Sequence, residues 1–241
     1  MFKKILSMLL CCMMLFAMVG CTSRTEEVGE LVKGNLDTLY LGVFDKKHVV
    51  KVEDSLADLE ALYEESMYLS GEMFAMYWGI FDEYFGETYD TLSDGLKAEI
   101  DSLMREVYKK AKYEIGEVKQ INDSLFEVQA TVYPIDVVAT AQEAYLAGSY
   151  APLNDFWAKY ANVYFEDLDA EAQAAYTEEY GQLIVQLVRE EMAGLDYLEP
   201  VTHTLRYELT DEVWMLNGDD LEAFDWDVLR YVYEENAESA A

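Results

Sequence analysis

Apolar side chains at Val28, Leu31, Val32, Leu39, Tyr40 and Val43 recur at a spacing that predicts a helix with one buried stripe over residues 26–44. His48 to Val52 reads as a short break that leaves His48 in a solvated loop. Asp54 or Ser55 is placed to cap a second helix carrying Leu56, Leu59, Leu62 and Tyr63, with Gly71 as a candidate interruption. Met73 to Phe85 follows and is apolar nearly all round, with Phe74, Tyr77, Trp78, Phe81, Tyr84 and Phe85. A third helix is expected from near Ser93 to about Lys112, burying Leu96, Ile100, Leu103, Met104 and Val107.

The period then changes. Tyr113 to Ile121 and Leu125 to Ile135 alternate, and Asn122-Asp123-Ser124 between them predicts a hairpin turn. Phe126, Val128, Ala130 and Val132 fall on one face of the second run, with Glu127, Gln129 and Thr131 on the other. Pro134 ends the run, and Asp136 stands where a helix cap belongs. Residues 137–194 return to a helical period, broken around Gly148 to Pro152 and near Leu168. A second alternating run puts Val201, His203, Leu205, Tyr207 and Leu209 opposite Thr202, Thr204, Arg206, Glu208 and Thr210. Asp211-Glu212 turns the chain into Val213 to Leu216, Asn217 to Asp220 reads as a turn, and a last helical or irregular piece ends near Tyr233. The expected fold is α+β. Helices pack on a four-stranded antiparallel sheet, with a helical insertion between its two hairpins.

The amino terminus has its own logic. Lys3 and Lys4 precede an apolar run from Ile5 to Val19, too short and too basic at its front for a spanning helix, so residues 1–20 read as a secretory signal. Met18-Val19-Gly20-Cys21 resembles the lipobox of bacterial lipoproteins, with Met18 where Leu is commonest. That resemblance implies cleavage before Cys21, lipidation of its sulfur, and attachment to the bilayer at the extracytoplasmic face of the cell membrane. Two acyl chains meet the two-signal requirement for stable anchoring, at ~0.8 kcal/mol per buried CH₂. Residues 21–27 would form a lipidated tether reaching roughly 20 Å. Residues 28–233 would form a single domain and residues 234–241 a frayed tail.

The hairpin ending in Tyr133-Pro134-Ile135-Asp136, and the late strand with Trp214, Asn217 and Asp219-Asp220-Leu221, resemble the cystatin-like and nuclear-transport-factor-like superfamily. They are similar in particular to lipoproteins of Clostridia-type bacteria that have no assigned activity. The resemblance implies a cone-like sheet with helices on one face. It selects no function, because that fold serves enzymes, ligand binders and interaction modules.

Composition narrows the partners. There are 17 basic against 48 acidic residues, a formal charge of −31, and removal of Lys3 and Lys4 makes the chain two units more negative. Nucleic-acid binding depends on a basic footprint and is not expected. A cationic protein or a small ligand is the expected kind of partner, beside the bilayer itself. The three cysteines are Cys11, Cys12 and Cys21, so processing would leave no thiol for a disulfide or for nucleophilic catalysis. No G-x-S-x-G motif or zinc-ligand spacing occurs, and no cofactor or metal is implied. Asp90 to Gly95 begins like an EF-hand loop, but Leu92 fills a ligand position and the stretch reads as a capping turn. The acidic run Asp219, Asp220, Glu222, Asp225 and Asp227 reads as a solvated segment.

His203, on the apolar face of its strand, joins Trp78 and Tyr207 as the candidate ligand-binding set. Trp78 belongs to the Met73–Phe85 stretch, whose all-round apolar character also fits a core helix. The leading expectation is a membrane-anchored, non-enzymatic binding or interaction module. The alternatives are a cell-envelope hydrolase or isomerase with a pocket around His203, and a transporter-associated substrate-binding lipoprotein.

Overall fold

Antiparallel pairing organises the middle of the chain. The computed structural model describes residues 24–52, 55–81, 87–210 and 213–231. Strand β1 (Lys112–Asn122) pairs with β2 (Leu125–Tyr133), β2 with β3 (Val201–Thr210), and β3 with β4 (Val213–Leu216), giving one sheet in the order β1-β2-β3-β4. The β2–β3 register joins Phe126 to Tyr207, Val128 to Leu205, Ala130 to His203 and Val132 to Val201, so the apolar sets of both strands share a face. The α+β expectation holds, as does the alternation of β2: its four apolar residues are fully buried and the residues between them are not.

The chain divides into two compact units, with the boundary inside a helix. The first contains the sheet. Helix α1 (Arg24–Leu36) lies over β1 and β2, burying Val28, Leu31, Val32 and Leu36. Gly29 permits the close approach, since a Cβ there would sit 3.3 Å from Val118. One π-helical turn follows at Asp37–Leu41, and Gly42 ends it with φ of 61°. Helix α2 (Lys46–Lys51) occupies the expected break. Asp45 caps it by accepting from the amides of Lys47 and His48 at 2.8 and 3.2 Å.

His48 is therefore helical and buried at 6% exposure, not solvated, and its ring lies against Gly34 of α1. The β-branched pattern of residues 48–52 concealed this helix, whose start depends on one acidic cap. Ser55 and Asp58 then exchange capping hydrogen bonds at the start of α3 (Leu56–Tyr77). Helix α8 (Gly218–Val228) closes the first unit by packing on β3 and β2. The expected turn at Asn217 to Asp220 is its cap and first turn, Asn217 accepting from the Asp220 amide at 3.2 Å.

The second unit is helical. It holds the end of α3, α4 (Asp94–Tyr108), α5 (Val137–Leu146), α6 (Ala151–Lys159) and α7 (Ala170–Glu191). Gly71 does not interrupt α3; a Cβ there would lie 2.7 Å from the Tyr89 hydroxyl and 3.3 Å from Ile100. Ser93 caps α4, and the helix buries Leu96, Ile100, Leu103, Met104 and Val107 as the spacing requires. Asp136 occupies the cap position of α5 without a capping hydrogen bond from its side chain. Gly181 of α7 faces Leu96 and Ile80, at 2.7 and 3.2 Å from a Cβ built on it. The signal segment with Cys21, Asp54, Tyr84, Phe85, the Asp211-Glu212 turn and the tail 234–241 lie outside the described residues.

Candidate functional site

Helix α8 brings the acidic run into the first unit. Leu221, Phe224 and Val228 form its buried stripe, and the carboxylates that flank the stripe are carried to the sheet. Asp220 receives the Arg206 guanidinium through two bonds, from Nε at 2.7 Å and Nη2 at 2.8 Å, and also the Arg206 amide at 2.9 Å. The fork is completed by Nη2 donating to Asn217 Oδ1 at 2.9 Å. Asp220 thus takes up a backbone donor where β4 has ended, and its hydrogen bonds hold the Arg206 guanidinium well above its usual pKa.

Asp227 reaches the inner face of β3, where its Oδ2 stands 2.7 Å from Nε2 of His203. The two side chains keep 17% and 18% exposure. The pair shares one hydrogen bond, and which of the two atoms donates depends on the tautomer of the ring. The His203 ring meets Phe224 edge-on at 5.6 Å. Phe224 also lies 6.2 Å from the rings of both Tyr40 and Tyr113.

The two tyrosines extend the polar cluster. The Tyr113 hydroxyl donates to Asp37 Oδ1 at 2.8 Å, while Lys33 donates to the same carboxylate at 2.6 and 2.8 Å. Burial, then the charge of Asp37, pushes the Tyr113 hydroxyl far above its usual pKa. Tyr40, on the π turn, stacks on Tyr108 at 5.8 Å and faces the Asp225 carboxyl. Asp225 leaves some of its residue surface open, yet its carboxyl is enclosed. Burial pushes it up to about 6; the contact with Tyr40 works against the rise and Glu222 adds to it.

The acidic run is therefore not simply solvated. Asp220, Asp225 and Asp227 are engaged within the unit, while Asp219 is exposed. Sequence reasoning missed Tyr40, Tyr113, Asp37, Arg206 and these three carboxylates. The available signal was the flanking of the Leu221–Phe224–Val228 stripe, which the density of acids obscured.

The three candidate ligand residues fall in different settings. His203 is part-exposed beside Asp227, whereas Tyr207, on the same face of β3, is fully buried and stacked on Trp214 at 5.4 Å. Trp78 belongs to the second unit, where it is 6% exposed and edge-on to Tyr77 and Tyr145. The Tyr180 hydroxyl donates to its carbonyl at 2.8 Å, and its own indole N–H has no hydrogen-bond acceptor. Asp90 accepts from Tyr68 at 2.9 Å and Leu92 is buried, so Asp90 to Gly95 is a capping segment. Among the described residues no three His, Cys, Asp or Glu side chains are grouped to hold a metal ion.

The fold is similar to the crystal structure of a protein described as a candidate lipoprotein, ycdA, from Bacillus subtilis. The TM-score is 0.52 at 15% identity, over 84% of this chain and 56% of that one. This chain thus spans little more than half of its neighbour's length, and the likeness is one of fold. No family model and no curated protein matches the sequence. Among the described residues no helix is long and apolar enough to cross a membrane.

Proposed function

We propose that this chain is a lipid-anchored protein of the bacterial cell envelope, held at the outer face of the membrane through Cys21, and that its folded part is a non-enzymatic binding or interaction module. The observation that carries the anchor is the order Lys3-Lys4, Ile5 to Val19, Gly20 and Cys21. The Bacillus subtilis neighbour, described as a lipoprotein, supports it. An antiparallel sheet in sequential order, with helices against its inner face, supports a cystatin-like reading of the first unit.

The anchor has a direct test. Cys21→Ala is expected to move the protein from the membrane fraction to the soluble fraction or the medium, and to abolish acyl mass on the mature terminus. Undiminished membrane retention, with no acyl mass in the unsubstituted protein, would refute it.

One observation favours the hydrolase or isomerase reading. His203 and Asp227 form an oriented acid–base pair that is neither fully buried nor fully open. Against it, no hydroxyl, thiol or amine is hydrogen-bonded to His203 among the described residues. An activated ester such as p-nitrophenyl acetate is expected to hydrolyse at the same rate with the unsubstituted chain and with His203→Gln. A rate that depends on His203 would establish the enzyme reading.

A further inference from the structure

The second unit carries an aromatic surface in acidic surroundings. Trp157 is 39% exposed, Val163 41% and Tyr164 69%, in a run where Ala158, Ala161 and Asn162 are open as well. This exposure is built, not slack. The rings of Phe156, Tyr160 and Tyr176 pack at centroid distances of 4.8, 4.9 and 4.7 Å, and Phe165 rests on Tyr176 at 5.4 Å. Gln173 donates to the Phe165 carbonyl at 3.0 Å. The amides of Val163 and Asp167 donate to the carbonyls of Tyr160 and Tyr164, each at 3.0 Å. The loop is thus pinned on both sides of Tyr164, and the ring needs little ordering on contact.

Most of the charge that flanks it along the chain is negative. Asp155, Glu166, Asp167, Asp169 and Glu171 are exposed, while Lys159 is committed to Glu179 at 2.5 Å and lies over the Tyr160 ring at 4.8 Å. Trp and Tyr are the residues that most often dominate binding energy at interfaces. Their ring faces and the carboxylates both attract cations. A second copy of a chain with formal charge −31 would be repelled, as would an anionic lipid surface.

We propose that the Trp157–Tyr164 surface docks a lysine- and arginine-rich segment of a partner protein, the cations lying over the two rings and between the flanking carboxylates. This names the partner chemistry of the interaction module and rests on that reading, but not on the anchor.

The probe is a fluorescein-labelled peptide of about 14 residues, Lys and Arg alternating with Gly, titrated into the full chain in neutral detergent micelles and read by anisotropy against micelles alone. Trp157→Ala and Tyr164→Ala are each expected to weaken binding roughly five-fold and the pair about twenty-fold, with Tyr164→Phe close to the unsubstituted chain. Glu166→Gln with Asp167→Asn should weaken it several-fold more than Glu60→Gln with Glu117→Gln, an equal charge change on exposed carboxylates of the first unit. Tyr164, at 69% exposure, can be cut back without disturbing the core, so its variant reads binding and not folding. The Cys21→Ala chain should bind equally well, which separates a failure here from a failure of the anchor. Binding at unchanged strength after both ring deletions, or equal losses from the two charge pairs, would mean that only general acidity attracts the peptide and would overturn the proposal. So would a blue shift of tryptophan emission on zwitterionic vesicles that Trp157→Phe abolishes, in place of peptide binding.

Discussion

Asp225 has a carboxyl whose charge the folded chain disfavours, because burial lifts it to about 6 against an ordinary value of 3.8. A carboxyl raised in this way binds its proton more tightly folded than unfolded. Stability from this group is fully present below about pH 4 and is lost as pH rises through about 6, on the order of 2–3 kcal/mol in all. Asp225→Asn keeps the shape and can still accept from Tyr40. It should therefore melt higher than the unsubstituted chain at about pH 7.5 and show a smaller fall in Tm between about pH 4.5 and 7.5. Equal pH slopes for the two chains would show that Asp225 does not titrate in this window. Residues of this kind were hard to read from the sequence. With 48 acidic side chains, nothing marks Asp225 or Asp227 until α8 is placed on the sheet. His203 was legible because an imidazole on an apolar strand face is a local anomaly; its partner, 24 positions later, was not.

At the scale of elements, periodicity carried the long pieces. The alternation of β2 and the stripe of α4 are set by their own residues and by a single buried face, so pattern and burial coincide. Short pieces depend on neighbours. Helix α2 has six residues, fewer than an isolated helix needs, and persists through the Asp45 cap and the packing of His48 on α1. Gly71 was read as a breaker because glycine weakens helices, but it stays helical where Tyr89 and Ile100 leave no room for a side chain. Gly34 gives the sharper test. Alanine there would gain about 1 kcal/mol of helix propensity, yet its Cβ would fall 2.1 Å from His48 Nδ1 and 2.5 Å from two further ring atoms. Overpacking costs about 1–3 kcal/mol, and the ring is held in a buried helix, so Gly34→Ala should lower stability by about 1–2 kcal/mol in urea melts. A rise in the midpoint would mean that α2 yields freely and is not packed as described.

The whole molecule is a strong polyanion, and its self-repulsion acts against compaction. Raising salt from about 0.02 to 0.5 M shortens the Debye length from roughly 20 to 4 Å and should raise Tm at neutral pH. A falling or flat Tm would indicate that ion pairs such as Arg206–Asp220 outweigh the excess of like charge. The division into two units was not legible, because the sequence presents the block 137–194 only as an insertion between hairpins. The structure adds what happens where that block leaves and returns. Leu198 donates to the Pro134 carbonyl at 3.0 Å, and Ile135 bridges to Tyr197, immediately beside the Val132–Val201 end of the β2–β3 ladder. The two hairpins can each form early from local sequence, but the central pairing that unites them spans the entire helical excursion and must meet its loop-closure cost. Refolding should accordingly pass through a stage with both hairpins formed and the sheet still open in the middle, a pause set by topology and not by the strength of any contact.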